Sequence, residues 1–109
     1  MVRRGISRYE LMWALKELRN VVRAKRSRYV GLRDFKVPRR GHIVIGHLFS
    51  ILEAEGLVKA VRNGRPLKYE LRPLTFEALI RCKATSEECE SCSLKRYCPH
   101  FILWILLET

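Results

Sequence analysis

Apolar residues recur along the first third of the chain with helical spacing. Leu11, Leu15, Leu18 and Val22 stand at i, i+4, i+7 and i+11, which predicts one amphipathic helix over residues 8–26. Ser7-Arg8-Tyr9-Glu10 ahead of it has the S-x-x-E form of a capping box. Met12 and Trp13 flank the apolar face and are read as core packing. Gly31-Leu32-Arg33-Asp34-Phe35-Lys36 predicts a short helical turn that buries Leu32 and Phe35, and Pro38-Arg39-Arg40-Gly41 breaks it. Val44, Leu48, Ile51 and Leu52 then share one face of a second long helix over residues 42–55, with Gly56 as its C′ glycine. From residue 57 the period changes. Residues 57–62 and 67–72 read as strands, and Asn63-Gly64 between them is a hairpin signal. Pro73 stops the second strand. A short helix over residues 74–81 follows, with Thr75 as its cap, and Pro99 opens a last helix. In that last helix Phe101, Ile102, Trp104, Ile105 and Leu106 are too apolar to face water on all sides. They pack over a neighbouring centre, back on the preceding elements, or on a partner.

All four cysteines lie within residues 82–98, as Cys82-x6-Cys89-x2-Cys92-x5-Cys98. A chain that gathers every thiol into so short a stretch is building one site. Three chemistries compete for it. Two disulfides would make poor long-range staples at this spacing. A structural zinc with four thiolates is the second, although zinc ribbons bring two C-x2-C knuckles and this stretch has one. A 4Fe-4S cluster is the third; a cubane is wider than a zinc ion and suits ligands on uneven loops. Cys98-Pro99 also matches the cysteine–proline ending of bacterial ferredoxin ligand runs.

Charge divides the chain. The formal net charge is +11, and residues 1–73 hold 18 Lys and Arg against 6 Asp and Glu, whereas residues 74–109 hold 4 against 5. A body that basic implies phosphate-rich or acidic partners. Arg39 and Arg40 at the start of the second long helix, with Arg62, Arg65 and Lys68 around the hairpin, are the candidate DNA contacts. The outward positions of that helix, His42, Gly46, His47 and Ser50, lack the Asn, Gln and mid-helix Arg that read base edges. Phosphate contact without strong sequence choice is therefore expected. The two histidines are read as surface residues or phosphate contacts.

No catalytic constellation is present: no nucleophile–base pair at a motif spacing, no Gly-rich phosphate loop, no H-E-x-x-H. Glu87, Glu88 and Glu90 between the cysteines read as a solvated loop edge, and a non-enzymatic role is expected. No secretory signal is visible near Val2-Arg3-Arg4, and the longest apolar run, residues 101–107, is too short to span a bilayer. The expected location is cytoplasmic and nucleoid-associated, with no membrane contact.

The order helix, short helix, helix, two-stranded hairpin is that of a winged helix. Leu48-Phe49-Ser50-Ile51-Leu52-Glu53-Ala54-Glu55-Gly56-Leu57-Val58 looks like the helix-to-wing junction of that superfamily. The expected class is thus α+β, mainly α: a winged helix-turn-helix domain over residues 1–73 and a small C-terminal four-cysteine iron–sulfur motif over residues 74–109. Taken with Cys89-x2-Cys92-x5-Cys98 and the aromatic, apolar end from Pro99 to Glu108, the chain resembles the β subunit of archaeal general transcription factor E. That family is related to the winged-helix/iron–sulfur subunit of eukaryotic RNA polymerase III. The fourth ligand here would be the upstream Cys82, where the polymerase subunit has a cysteine further downstream. The resemblance implies a transcription initiation factor subunit in a hetero-oligomer. Its partners would be the transcription factor E α subunit, the RNA polymerase clamp and promoter DNA. It would aid promoter opening and carry a structural 4Fe-4S cluster held by Cys82, Cys89, Cys92 and Cys98.

Overall fold

The computed structural model describes residues 7–61, 68–81 and 95–108. In order these form α1 (Arg8–Lys25), β1 (Tyr29–Gly31), a 3-10 turn (Leu32–Asp34) and α2 (Arg39–Ala54). After them come β2 (Val58–Val61), β3 (Lys68–Leu71), α3 (Pro73–Arg81), a second 3-10 turn (Lys95–Tyr97) and α4 (Pro99–Glu108). The class is α+β, mainly helical, with one small antiparallel sheet.

Helix α1 starts where its cap places it. The Ser7 hydroxyl accepts from the Glu10 N–H at 3.1 Å, and the Glu10 carboxylate accepts from the Ser7 N–H at 3.1 Å, so two otherwise unpaired donors are satisfied reciprocally. Leu11, Leu15, Leu18 and Val22 are all buried, as the spacing predicts. Met12 is packed against the core, while Trp13 keeps 36% of its surface exposed.

Helix α2 begins three residues earlier than its apolar pattern predicts, which moves Arg39, Arg40 and Gly41 from a loop into the first turn. Gly41 belongs there because the helices meet at it. A β-carbon on Gly41 would lie 2.9 Å from the tip of the Trp13 ring and 2.9 Å from a Val37 methyl. At its other end α2 closes as a Schellman motif. Gly56 takes φ 77°, its N–H donates to the Glu53 carbonyl, and the Leu57 N–H donates to that of Leu52.

The sheet has three strands where the sequence predicts two. Their order is β1-β3-β2, with Tyr29 opposite Glu70 and Val58 opposite Leu71. Val61 faces Lys68, whereas a two-residue turn at Asn63-Gly64 with unbroken pairing would set Val61 opposite Pro66. The predicted turn itself lies outside the described residues. Odd and even positions divide the sheet. Val30, Tyr69, Leu71 and Val58 face inward, and Tyr69 stacks on the fully buried Phe49 with ring centroids 4.2 Å apart. Phe35, buried as expected, meets Phe49 edge-on at 6.0 Å.

The last two helices pack on α1, α3 and α4 each touching α1 and each other. Leu79 of α3 and Leu103 of α4 join the same buried cluster as Leu11 and Leu18. The Arg23 guanidinium of α1 donates to the Leu79 carbonyl at 3.1 Å, satisfying a carbonyl in the last turn of α3. Pro99 is the first residue of α4, as expected.

Thr75 departs from its expected role. Helix α3 begins at Pro73, so Thr75 lies inside its first turn rather than capping it, and the Phe76 N–H already donates to the Arg72 carbonyl. Its hydroxyl is fully buried with no hydrogen-bond partner among the described residues. A buried hydroxyl without a partner costs on the order of 1–3 kcal/mol. Thr75→Val, which keeps the shape and removes the hydroxyl, is therefore expected to leave urea stability unchanged or raise it by about 1 kcal/mol. A clear fall would reveal a bond to a group in residues 82–94.

Candidate nucleic-acid surface and cysteine site

Two sets of residues bear on function: the cations of the first 73 residues and the four cysteines.

Among the candidate DNA contacts, Arg39 is exposed at the start of α2 and Lys68 is exposed at the start of β3. Arg40 is exposed but engaged. It grips Glu10 with both ends of its guanidinium, Nε to Oε2 at 3.1 Å and Nη2 to Oε1 at 3.1 Å, and so clamps the starts of α1 and α2 together. The Ser7 N–H, together with Arg40, holds the Glu10 carboxyl below its ordinary value, slight desolvation opposing them. Arg40 is thus a helix clamp before it is a phosphate ligand. Arg62 and Arg65 lie outside the described residues.

The outward face of α2 also differs from expectation. His42 is half-buried, and its Nε2 lies 2.9 Å from the Phe35 carbonyl. A carbonyl only accepts, so Nε2 carries the proton and His42 is a strut between the 3-10 turn and α2. Gly46 and His47 are half-buried and Ser50 is exposed, its hydroxyl donating to the Gly46 carbonyl. The exposed large hydrophobic residue on this face is Ile43, at 47%. After its first turn α2 carries no lysine or arginine, and Glu53 and Glu55 stand at its far end.

The cations gather instead around the sheet. Lys25 at the end of α1 bonds Asp34 at 2.9 Å, and the Gly31 N–H bonds the same carboxylate oxygen at 2.8 Å. Burial pushes the Asp34 carboxyl up, but the Gly31 N–H and Lys25, with Lys68 nearby, outweigh it and hold it below its ordinary value. A carboxyl lowered in the folded state stabilises the protein above its unfolded value, and that contribution is lost as pH falls through the folded value. Asp34→Asn is accordingly expected to melt lower than the parent at pH 7. The two melting temperatures should converge as pH falls below the ordinary aspartate range. A constant gap from pH 7 to pH 3 would contradict this role.

Of the cysteines, Cys98 is described. It is 5% exposed, between the second 3-10 turn and α4, with Pro99 buried beside it. Cys82, Cys89 and Cys92 lie outside the described residues, and among the described residues no three metal-binding side chains come together. The described residues that flank this segment come together. The 3-10 turn at Lys95–Tyr97 packs against both α3 and α4. The chain therefore leaves α3 one residue before Cys82 and returns beside it just ahead of Cys98. One thiol, that of Cys98, is thus seen buried next to the ends of the segment that carries the other three in sequence.

No described helix is long and apolar enough to cross a membrane. No protein-family model, no curated protein and no solved structure matches the chain.

Proposed function

We propose that the chain is a winged-helix subunit of a transcription initiation complex. It binds RNA polymerase and promoter DNA together with a partner subunit, and its C-terminal cysteines hold a structural 4Fe-4S cluster. The observation that carries this reading is the sheet order β1-β3-β2, with the strand after the first helix pairing to the last strand and α2 packed beneath. That is the connectivity a winged helix requires, with its second helix here reduced to the turn Leu32–Asp34. The charge split supports the same reading: a basic body suits a protein held near DNA, and a nearly neutral, apolar tail suits one held by protein.

The role is non-enzymatic. The clamp of the polymerase and the α subunit of general transcription factor E are the proposed protein partners, in a hetero-oligomer acting in the nucleoid-associated cytoplasm. Cys82, Cys89, Cys92 and Cys98 would be the ligands, and a cluster there would supply folding energy to residues 82–98. A stand-alone regulator choosing an operator is less well supported, because the exposed face of α2 lacks groups that read base edges.

The test is reconstitution. The anaerobically purified chain is added to an archaeal RNA polymerase with the partner subunit on promoter DNA, and permanganate reactivity of thymines in the melted region is followed. The reading expects retention on the polymerase and a several-fold rise in reactivity. Neither retention nor a rise would overturn it. A footprint of the isolated chain on one defined operator would favour the regulator instead.

A further inference from the structure

The cations that α2 lacks are presented by the outer face of the sheet. Tyr29, Glu70 and Lys59 stand in one row across the three strands, and Gly31, Lys68 and Val61 in the next. Side chains in these rows point away from the core, since the intervening Val30 and the pair Val58 and Leu71 are buried. Tyr29 is 44% exposed. Its hydroxyl reaches the Glu70 carboxylate at 3.4 Å, which holds the ring on this face. Arg28 approaches the same carboxylate at 3.6 Å, and the second acid at this edge, Asp34, is held by Lys25 and the Gly31 N–H. Arg28, Lys59 and Arg72 line an open cleft of about 320 Å³ around Glu70, and Lys68 lies one row further along the sheet. Four cations thus stand around Glu70, which Arg28 and Tyr29 engage, and beside one exposed aromatic ring.

We propose that this face binds single-stranded DNA, with the backbone phosphates on Lys59, Lys68, Arg72 and Arg28 and a base stacked on Tyr29. The proposal rests on the reading that the chain works on promoter DNA, and it names the surface and the strand form. A flat basic face with an aromatic platform accepts any base, because every base has a π-face. A duplex keeps its bases stacked inside and offers nothing to Tyr29. The occupant is argued from charge and ring together: phosphate complements the cations, and an unpaired base complements the ring.

The experiment is fluorescence anisotropy of the full chain with a labelled 15-nucleotide oligo(dT) and with a duplex of equal length, over a series of salt concentrations. The parent protein is expected to bind oligo(dT) more tightly than duplex. Tyr29→Ala should weaken oligo(dT) binding about tenfold and leave the salt slope unchanged. Tyr29→Phe, which keeps the ring, should bind like the parent. Lys59→Ala with Lys68→Ala should make the log–log salt slope shallower by about 1.4, since two phosphate contacts are lost. These two lysines are exposed, so the double variant keeps the test valid even if Tyr29→Ala fails to fold. DNA binding that all three variants leave intact would overturn the placement on the sheet while leaving a DNA-contacting role standing. Binding to neither strand form at low salt would overturn both.

Discussion

Phe49→Ala is expected to cost about 3–5 kcal/mol, the range for deleting a fully buried aromatic ring. Phe49 is 0% exposed, stacks on Tyr69 of the sheet and meets Phe35 beyond the 3-10 turn edge-on. One ring therefore ties α2 to the middle strand and to the segment before α2. Alanine would leave a cavity that these fixed neighbours cannot close. Against a typical total of roughly 5–15 kcal/mol, that loss is a large fraction of stability. Phe49→Leu, which retains most of the volume, should cost much less. Urea denaturation of the three proteins checks this: equal midpoints for Phe49→Ala and the parent would mean that the ring does not carry the junction.

The second large effect is expected at the cysteines. Cys89→Ser or Cys92→Ser should abolish metal retention, unfold the loop between α3 and α4 and weaken partner binding, because metal binding at such a site is folding energy. The consequence extends to α1. Leu79 and Leu103 belong to the core cluster that contains Leu11 and Leu18, and Arg23 bonds the carbonyl of Leu79. Releasing the tail would uncover that side of α1. The substituted proteins should therefore keep their sheet and α2 but bind a hydrophobic dye and melt at lower temperature. Unchanged partner binding with metal lost would show that the tail is not the docking element.

Where a period runs through many residues, the sequence predicts the structure closely. The four apolar residues of α1 and the glycine closing α2 are where their spacing puts them, because local backbone geometry decides both. Strand β1 has no such signal. It is three residues long, and it exists because its partner β3 lies some forty residues downstream and offers a free edge. The same limit hides the bond between Arg40 and Glu10, which depends on how two helices cross rather than on either helix. It also hides Gly41, whose place inside α2 is explained by the Trp13 ring pressing on it. The burial of the Thr75 hydroxyl, which has no hydrogen-bond partner among the described residues, depends on tertiary packing, and no pattern around it in the chain announces that.

The candidate site divides in a similar way. Spacing alone gathers the four cysteines, and the structure adds that Cys98 is buried and that the flanks of the loop meet. The candidate DNA surface was legible as a charge and not as a place. Arg39, Arg40, Arg62, Arg65 and Lys68 cluster in sequence near the expected helix and hairpin. In space Arg40 is bound to Glu10, while Lys68 shares a sheet face with Lys59 and Tyr29. Strand register, which sequence alone leaves open here, put those side chains together.

The central claim is that four thiolates in residues 82–98 jointly hold one inorganic centre that shapes the end of the chain. Iron, acid-labile sulfide and zinc measured on the full chain, purified without oxygen, test it most directly. The expected result is a brown protein absorbing near ~400 nm, with about four irons and about four sulfides per chain. One zinc per colourless chain would keep the shared site and replace the cluster. Metal-free protein with all four thiols open to alkylation would contradict the claim outright.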